Sequence, residues 1–370
     1  MTEQSSAATG SAPKDLDTND QRAVRMDKRE RLLGRGVQPY PVSVERTASL
    51  AEIRERFEGT VEAGESTGET VSVTGRVMFI RNTGKLCFAT LQEGGPEGRG
   101  SRLQAMISLA EVGEEALADW KSLVDLGDHV RVTGEVVVSR RGELSVMAAS
   151  FEIASKAIRP LPVLHADLNE ETRVRQRYAD LIVRDEAREM VYRRAAITRS
   201  IRDSLHSRGY VEVETPMLQL VHGGAQARPF ETHLNAFDQD MTLRIATELY
   251  LKRAVVGGID RVFEIGRVFR NEGVDSTHSP EFTTLESYEA WADMYVMADR
   301  MREMILNAAD AAGAGRQIET QVPTASRSPS TSTATGSGSA SIRASPRPWA
   351  RRSPRRPRLR SCAGSRRSTR

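Results

Sequence analysis

Cysteine is nearly absent from the sequence, and long apolar runs are missing. Only two of the 370 residues are cysteine, Cys87 and Cys362, and they form neither a CxxC pair nor a spacing typical of a zinc site. A disulfide-stapled scaffold is thereby excluded, and a reducing compartment is expected. Residues 1–11 contain no apolar signal core, and no run approaches the roughly 20 apolar residues of a membrane span. The composition predicts a cytoplasmic protein without a membrane segment.

Glycine-rich nucleotide loops are also missing. The sequence contains no GxGxxG fingerprint and no Walker loop, which excludes a Rossmann dinucleotide fold and a P-loop ATPase. Any ATP would have to be bound by another arrangement of residues.

Acidic residues are absent from the last fifty positions. Residues 321–370 hold twelve arginines, no lysine and no aspartate or glutamate. Removing these charges from the formal net charge of +3 leaves −9 on residues 1–320, so overall basicity does not indicate nucleic-acid binding. The segment cannot bury a core and is predicted to be a disordered tail. Its composition resembles GC-rich coding sequence read out of frame, with an RNA-binding basic tail as the alternative.

The first half of the chain changes from helical to strand periodicity near Thr70. Residues 1–17 are predicted to be disordered, and residues 18–59 to form a helical extension whose charged helix covers Asp20–Leu33. Over residues 60–155 the pattern predicts, in order, the strands Thr70–Arg81, Lys85–Glu93 and Arg102–Ser108, the helix Glu114–Val124, and the strands Val130–Ser139 and Glu143–Ile153. This five-stranded order is typical of an OB β-barrel, a fold that binds single-stranded nucleic acid.

The second half follows a linker at residues 156–172 and predicts an α+β domain over residues 173–320. Helical patterns cover Thr172–Val183, Glu186–Arg208, Glu248–Val256 and Asp293–Ala312. Strand patterns cover Tyr210–Glu214, Pro229–Phe237, Met241–Ile245, Arg261–Arg270 and Glu281–Trp291. Because several strands follow one another with few crossover helices, we expect an antiparallel sheet flanked by helices.

A pair of unusually polar strands lies within residues 261–291, RVFEIGRVFRNEGVDSTHSPEFTTLESYEAW. A period of two places Arg270 and Glu272 on one face of the first strand. The same period groups four residues of the second strand: Phe282, Thr284, Glu286 and Tyr288. A face with arginine, carboxylates and aromatic rings is too polar for ordinary core, although a solvated face with a salt bridge would account for any single residue.

These residues resemble motifs of the class II aminoacyl-tRNA synthetases. FRNE, the polar loop and HSPEF are similar to motif 2, and VEVETPML at Val211–Leu218 is similar to motif 1. Four further segments resemble the lysyl-tRNA synthetases in particular: Gly223-Gly224-Ala225, RPF at Arg228–Phe230, TELYLKR at Thr247–Arg253, and GKLCFATLQ in the barrel. The resemblance covers about Asp20–Gly315 and implies a lysine–tRNA ligase that uses ATP.

The resemblance implies an activation site around motif 2. Arg270 is expected to be the catalytic residue that contacts the α-phosphate and the lysine carboxylate, since a planar guanidinium suits charge that develops on phosphoryl oxygens. Glu272 is expected near the adenine amino group, His278 near the triphosphate, and Phe282 stacked on adenine. Taken alone, His278 could equally be a solvated loop residue, and for Phe282 alone core packing would be the favoured interpretation.

The resemblance also implies a pocket for the lysine side chain. A long cation needs carboxylates and an aromatic wall. Glu248 and Glu286 are expected to hold the amino groups, Tyr288 to line the aliphatic stem, and the backbone of Gly224 to lie nearby. Taken alone, Glu248 could be a partner of the helix dipole. Carboxylates at these positions disfavour an aspartate or asparagine enzyme.

Four barrel residues are expected by resemblance to meet the anticodon: Arg76, Phe88, Gln104 and Glu143. An aromatic ring stacks on a base, and amide or carboxylate groups hydrogen-bond to base edges. From the residues alone, Phe88 is equally well explained as barrel core.

The implied partners are tRNA(Lys) and L-lysine, the implied cofactors are ATP and Mg2+, and a homodimer is expected through motif 1 around Pro216. No metal ligand is predicted within the chain, because the family's third motif and magnesium carboxylates lie in a C-terminal third that finds no counterpart here. A non-catalytic tRNA-binding or dimer-forming fragment is the alternative. A relative that charges a lipid or a protein side chain is a third hypothesis, against which the barrel favours tRNA.

Overall fold

The computed structural model describes residues 16–162, 168–275, 277–314, 317–319 and 339–341. The chain divides into two compact units, Met1–Ala196 and Ile197–Arg370, with the boundary inside one long helix. Within the described ranges, no helix is both long enough and apolar enough to cross a lipid bilayer.

The first unit is built on a closed barrel of five strands in the ring order β1-β2-β3-β5-β4. Its strands are β1 (Ser66–Thr83), β2 (Leu86–Glu93), β3 (Ser101–Ser108), β4 (His129–Val138) and β5 (Leu144–Ser155). Its helices are α1 (Leu16–Gly34), α2 (Leu50–Phe57), α3 (Leu109–Leu123), α4 (Glu170–Arg175) and α5 (Arg177–Val183), followed by α6 (Asp185–His206), which crosses the boundary. The predicted five-stranded OB barrel is confirmed.

Strict alternation along the strands fills the barrel. In β4 every second residue is buried, among them Val130, Val132 and Val136, and the intervening side chains point outward. Helix α3 contributes the fully buried Trp120, whose ring meets that of Phe151 edge-on at a centroid distance of 5.0 Å. The barrel interior is therefore filled by side chains.

Helix α2 was not predicted from the sequence pattern. It begins at a capping box in which the Ser49 hydroxyl accepts from the Glu52 backbone N–H, while the Glu52 carboxylate accepts from the Ser49 N–H. Its buried residues, Leu50 and Ile53, join the barrel core. Eight residues are too short a window for a helical period to be distinguished from background.

Strand β1 carries a β-bulge at residues 77–79. Residues Val71, Val73 and Val77 point into the barrel, and simple alternation would send Phe79 inward as well. The register shift between Val77 and Phe79 instead buries Met78 and turns Phe79 outward with 54% of its surface exposed. Bulges re-aim side chains in this way.

The second unit combines small sheets with the C-terminal part of α6 and two further helices. Its strands are β6 (Val211–Glu212), β7 (Leu218–Gln219), β8 (Glu231–Leu234), β9 (Gln239–Leu243), β10 (Arg261–Phe269), β11 (Glu281–Glu289), β12 (Gln317–Glu319) and β13 (Ser339–Ser341). Its helices are α7 (Glu248–Val256) and α8 (Met294–Ala311). The strand orders are β11-β10-β6 and β7-β9-β8, and β12 pairs with β13. The rest of the predicted tail, like residues 1–15, lies outside the described residues.

The long strands β10 and β11 give this unit two different sheet faces. One face packs Phe263, Ile265 and Leu285 against Leu205 of α6 and Met304 of α8. The other face carries the alternate residues of the same strands, which are mostly apolar and buried in β10 and polar or aromatic in β11. The α+β character of this unit is confirmed.

Three details of the predicted second half are wrong. The sheet is not wholly antiparallel, because β6 pairs in parallel with β10. The long connection between these two strands allows the parallel direction, whereas a tight hairpin would make them antiparallel. The helix expected at Thr172–Val183 is divided at Gln176, whose φ of −115° and ψ of 53° are not helical. Strand β10 ends at Phe269, so Arg270 and Glu272 do not alternate within a strand; beyond Arg270 the Asn271 N–H donates to the Arg228 carbonyl.

Candidate functional site

The candidate site lies on the polar face of β11, opposite α6 and α8. Phe282, Thr284, Glu286 and Tyr288 share this face, as the alternation predicts. Phe282 and Tyr288 are six residues apart and therefore about 20 Å from each other along the strand. An elongated substrate fits such a row better than a compact one.

A buried ion pair lies on the same sheet face, where Glu264 of β10 is opposite Glu286 of β11. The guanidinium of Arg244 lies 2.5 Å from the carboxylate of Glu264, and both side chains are almost fully buried. Arg244 also donates to the carbonyls of Arg267 and Thr215, and Glu264 accepts from the Thr215 hydroxyl at 2.6 Å. The pair therefore ties the segment before Pro216 to β10 and to the end of β9.

A cluster of oxygen atoms forms where β11 passes the start of α7. The two carboxylate oxygens of Glu286 accept from the Thr247 backbone N–H at 3.0 Å and from the Tyr288 hydroxyl at 3.1 Å. Burial raises the pKa of Tyr288 far above its usual range, and the charges of Glu286 and Glu248 raise it further. The three side chains are therefore close enough to form one negatively charged site.

Gly224 closes this cluster on the side of α7. Its φ is +86°, and a Cβ atom there would stand 2.8 Å from Cβ of Glu248 and 3.1 Å from Cβ of Ala246. Only glycine adopts this backbone without strain and leaves the space open. The structure thus places Gly224, Glu248, Glu286 and Tyr288 together, as the sequence predicts.

A lysine of the chain itself already approaches these groups. Nζ of Lys252 lies 2.6 Å from the Glu248 carboxylate and 5.9 Å from the centre of the Tyr288 ring. Carboxylate contact together with a cation–π contact is the arrangement expected around an alkylammonium group. Lys252 belongs to the TELYLKR segment, but the sequence pattern does not predict this contact.

Arg270 and Phe282 form the second part of the site. The guanidinium carbon of Arg270 lies 5.2 Å from the centre of the Phe282 ring. Nε of Arg270 is buried and has no hydrogen-bond partner among the described residues. Phe282 is half-buried and does not belong to the apolar cluster of the opposite sheet face, and Arg270 retains a donor for an anionic ligand.

Glu272 and His278 lie in the exposed loop after β10. Glu272 accepts from the Arg228 N–H at 3.3 Å. His278 approaches the Asp275 carboxylate through Nδ1 at 2.9 Å, and Asp275 also accepts from the backbone N–H groups of Thr277 and His278. These hydrogen bonds lower the pKa of Asp275 well below its usual range. Asp275 had not been singled out, although an aspartate three residues before a histidine in a polar loop is a typical turn former.

On the barrel, Phe88 lies on the outer face of β2. The adjacent Cys87 and Ala89 are fully buried, whereas Phe88 is half-buried and carries the guanidinium of Arg81 at 4.6 Å from its ring centre. The core alternative for Phe88 is therefore wrong. Gln104 faces the same side across Thr90, and its buried Oε1 has no hydrogen-bond partner among the described residues.

Arg76 and Glu143 are engaged elsewhere in the first unit. Arg76 donates to the Gly127 carbonyl at 3.0 Å and lies between Gln92 and His129 in the strand register. Burial and the charge of Arg76 lower the pKa of His129 to about 4. Glu143 precedes β5 and pairs with Arg54 at 3.3 Å. The structure thus brings Phe88 and Gln104 onto one face, while Arg76 and Glu143 have partners within the protein.

Within the described part of the chain, no group of three or more His, Cys, Asp or Glu side chains is arranged to hold a metal ion. The two carboxylates of the cluster, Glu248 and Glu286, are already contacted by an ammonium group and by two neutral donors. These residues suit an organic cation better than Mg2+, which requires near-octahedral oxygen coordination.

Comparison with known proteins gives matches in both units. The family model of tRNA synthetases class II (D, K and N) matches residues 169–347, and that of the OB-fold nucleic acid binding domain matches residues 71–154. The lysine–tRNA ligase of Kineococcus radiotolerans is 60% identical over 304 residues, which are 82% of this chain and 60% of that protein. The lysine–tRNA ligase of Mycolicibacterium gilvum is 59% identical over 302 residues, 82% of this chain and 59% of that protein.

A protein of a different kind also matches. The lysylphosphatidylglycerol biosynthesis bifunctional protein of Nocardia farcinica is 46% identical over 294 residues, which are 79% of this chain and 25% of that protein. The chain spans about three-fifths of the length of these two lysine–tRNA ligases.

Proposed function

We propose that this chain, which belongs to the class II tRNA synthetases of the aspartate, lysine and asparagine group, activates L-lysine with ATP and transfers it to tRNA(Lys). The observation that carries the proposal is the cluster of Glu248, Glu286 and Tyr288, which already contacts the alkylammonium group of Lys252. A tRNA substrate also argues for the cytoplasm as its place of action.

The cluster accounts for selection of lysine by charge and shape. Glu248 and Glu286 present carboxylate oxygens to the substrate's amino groups, and the Tyr288 ring lies along the aliphatic stem. The positive φ of Gly224 lets the backbone approach without a side chain in the way. An aspartate side chain would be repelled by the same two carboxylates.

Arg270 is the residue proposed to stabilise the activation of lysine by ATP. In this step an oxygen of the lysine carboxylate bonds to the α-phosphorus of ATP, and the bond from that phosphorus to the pyrophosphate leaving group breaks. The guanidinium of Arg270 has the planar fork to contact the carboxylate and the α-phosphate together and to stabilise charge on the phosphoryl oxygens. Phe282 offers its ring to adenine, Glu272 lies by Arg228 near the adenine amino group, and His278 lies toward the triphosphate.

Mg2+ is proposed as the ion that shields the triphosphate. The described residues hold no cluster suited to it, so its ligands would come from ATP and from a C-terminal part like that of the matching ligases.

The barrel is proposed to hold the anticodon of tRNA(Lys). Phe88, with Arg81 against its ring, offers a stacking surface, and Gln104 offers an unused amide oxygen to a base edge. Arg76 and Glu143 are proposed to contribute after exchanging their present partners for RNA.

A homodimer through the segment around Pro216 is proposed from its exposed apolar side chains. Met217, Leu218, Leu220 and Val221 each expose 44–76% of their surface within a few residues of one another. A contiguous apolar surface of this kind is typical of a protein interface.

Lysine binding to the 370-residue chain tests the proposal directly. We expect calorimetric titration to show L-lysine binding and no L-aspartate binding. Glu286→Gln should weaken lysine binding at least about tenfold, since a charge-assisted hydrogen bond contributes roughly 1.5–3 kcal/mol. Glu281→Gln is the matched control, because Glu281 lies on the opposite face of the same strand. Equal lysine affinity in all three proteins would refute the assignment.

A second candidate is a non-catalytic chain that binds tRNA and dimerises. It requires only the outer barrel face, with Phe88 and Gln104, and the exposed apolar segment around Pro216, neither of which depends on an active site. Lysine-dependent exchange of pyrophosphate into ATP separates the two functions. Retained binding of tRNA(Lys) without any exchange would select the second.

A further inference from the structure

We propose that Phe79 is a second base-stacking platform beside Phe88, so that the outer barrel face holds two neighbouring bases of a single-stranded RNA loop. The inference rests on the proposed binding of tRNA by the barrel and adds a subsite to it. It begins with the bulge in β1, which buries Met78 and leaves Phe79 54% exposed.

The strand register places Phe79 directly on the recognition face. Phe79 is opposite Thr90 of β2, and Thr90 is opposite Gln104 of β3, so these three residues form one row across the outer surface. Gln104 carries the buried amide oxygen without a hydrogen-bond partner. The ring therefore lies in the same row as an acceptor that can be used for base recognition.

The adjacent row contains Arg81 and Phe88, which are opposite one another in the same pairing of β1 and β2. Phe79 and Phe88 are thus diagonal neighbours, about 7–8 Å apart at their Cα atoms. Two successive bases of an unstacked strand can span this distance. Arg81 supplies positive charge at the edge of the pair and suits a phosphate that joins them.

The bulge in β1 interrupts the regular pairing with β2 and exposes the ring of Phe79. Simple alternation would bury this ring in the core, which is favourable for an apolar side chain. Aromatic side chains on the outer face of OB barrels stack on bases with little sequence preference, since every base has a π-face. Single-stranded RNA is therefore the occupant that fits this row.

The test uses the 370-residue chain and a fluorescently labelled stem-loop that carries the lysine anticodon, with affinity measured by anisotropy. Phe79→Ala and Phe79→Leu should each weaken binding by about tenfold, whereas Phe79→Tyr should remain within about twofold of wild type. The matched control is Phe237→Ala, which removes an exposed ring elsewhere in the chain (77% exposed) and should change nothing. Because Phe79 is exposed, the unfolding midpoints of its variants should match wild type.

Abasic substitutions in the loop identify the base that each ring holds. In Phe79→Ala, one abasic substitution should no longer weaken RNA binding. In Phe88→Ala, a different abasic substitution should no longer weaken it. The inference is wrong if Phe79→Ala and Phe79→Leu bind within twofold of wild type while Phe88→Ala binds weakly, or if both rings report the same base. It is also wrong if Phe79→Ala changes the oligomeric state and not RNA affinity. If wild type shows no binding, or Phe88→Ala no loss, the proposed anticodon function fails.

Discussion

A cluster of charged side chains around the buried Lys156 stabilises the first unit. The side chain of Lys156 is fully buried, and its ammonium donates to Asp128 at 2.7 Å, Asp125 at 2.6 Å and the Leu123 carbonyl at 2.8 Å. Lys28 of α1 reaches the same Asp125 from the surface at 2.6 Å. The two lysines share a partner but differ in their exposure to water, which makes them a matched pair.

Lys156→Met should lower the free energy of unfolding by about 3–5 kcal/mol, because it leaves the fully buried Asp128 without its countercharge. Lys28→Met should cost about 1 kcal/mol or less, since water and Lys156 both remain near Asp125. Urea unfolding followed by circular dichroism measures both changes. Equal destabilisation by the two variants would contradict this account of the cluster.

In the second unit, the variant Arg270→Lys tests whether ATP binding depends on the planar shape of the guanidinium group. Arg270→Lys keeps the charge but loses the planar fork that stacks on Phe282, so we expect ATP affinity to fall by about tenfold. Arg267→Lys is the control, because Arg267 is exposed on the opposite sheet face. Equilibrium titration with ATP gives both values, and unchanged affinity in Arg270→Lys would assign Arg270 a structural role.

At the scale of elements, the closure of the barrel depends on how closely β4 and β5 approach each other. Gly134 lies at a register shift between these strands, and a methyl group there would overlap the backbone carbonyl of Met147. Backbone atoms cannot move aside as a flexible side chain can, so this position requires glycine for space and not for its φ angle.

Gly134→Ala should therefore break the local β4–β5 ladder and destabilise the barrel by several kcal/mol, with loss of RNA binding at the same temperature. Gly34→Ala is the control, since nothing lies within 4 Å of the Cβ position at Gly34 and its φ is not positive. Thermal unfolding and hydrogen exchange of the β4 amides would reveal the difference. Similar midpoints for both variants would show that the barrel relaxes around the added methyl group.

At the scale of the whole molecule, charge is divided unevenly along the chain. Residues 321–370 contain twelve arginines and no carboxylate, and the remaining residues carry a net negative charge. Arginine side chains that contact only phosphates bind RNA without reading its sequence, and such binding weakens steeply with salt.

Deleting residues 321–370 should weaken binding of an unrelated single-stranded RNA and flatten its dependence on salt. The ratio of affinities for the lysine anticodon stem-loop and a scrambled loop should stay unchanged, because that ratio comes from base contacts on the barrel. Anisotropy titrations at several salt concentrations measure both quantities. A lower ratio after the deletion would show that the tail contributes to specificity.

The sequence alone determined the elements whose signal is local. Alternation in β1 to β5 and in β11 follows from the strand backbone, in which successive side chains point to opposite faces, so the barrel and the row Phe282 to Tyr288 could be predicted. The resemblance to the lysyl-tRNA synthetases also identified groups that lie together in the structure, including Gly224 and Glu286.

Only the tertiary structure decided features that join distant segments or break a local rule. The pairs Arg244–Glu264 and Lys156–Asp128 link residues 20 and 28 positions apart, and no periodicity records such a contact. The bulge that turns Phe79 outward depends on the partner strand, since a single strand has no register to shift. A sequence pattern predicts which side chains of a regular strand share a face. The free energy of burying a charge, or of shifting a strand register, depends on the residues that pack around that charge or strand.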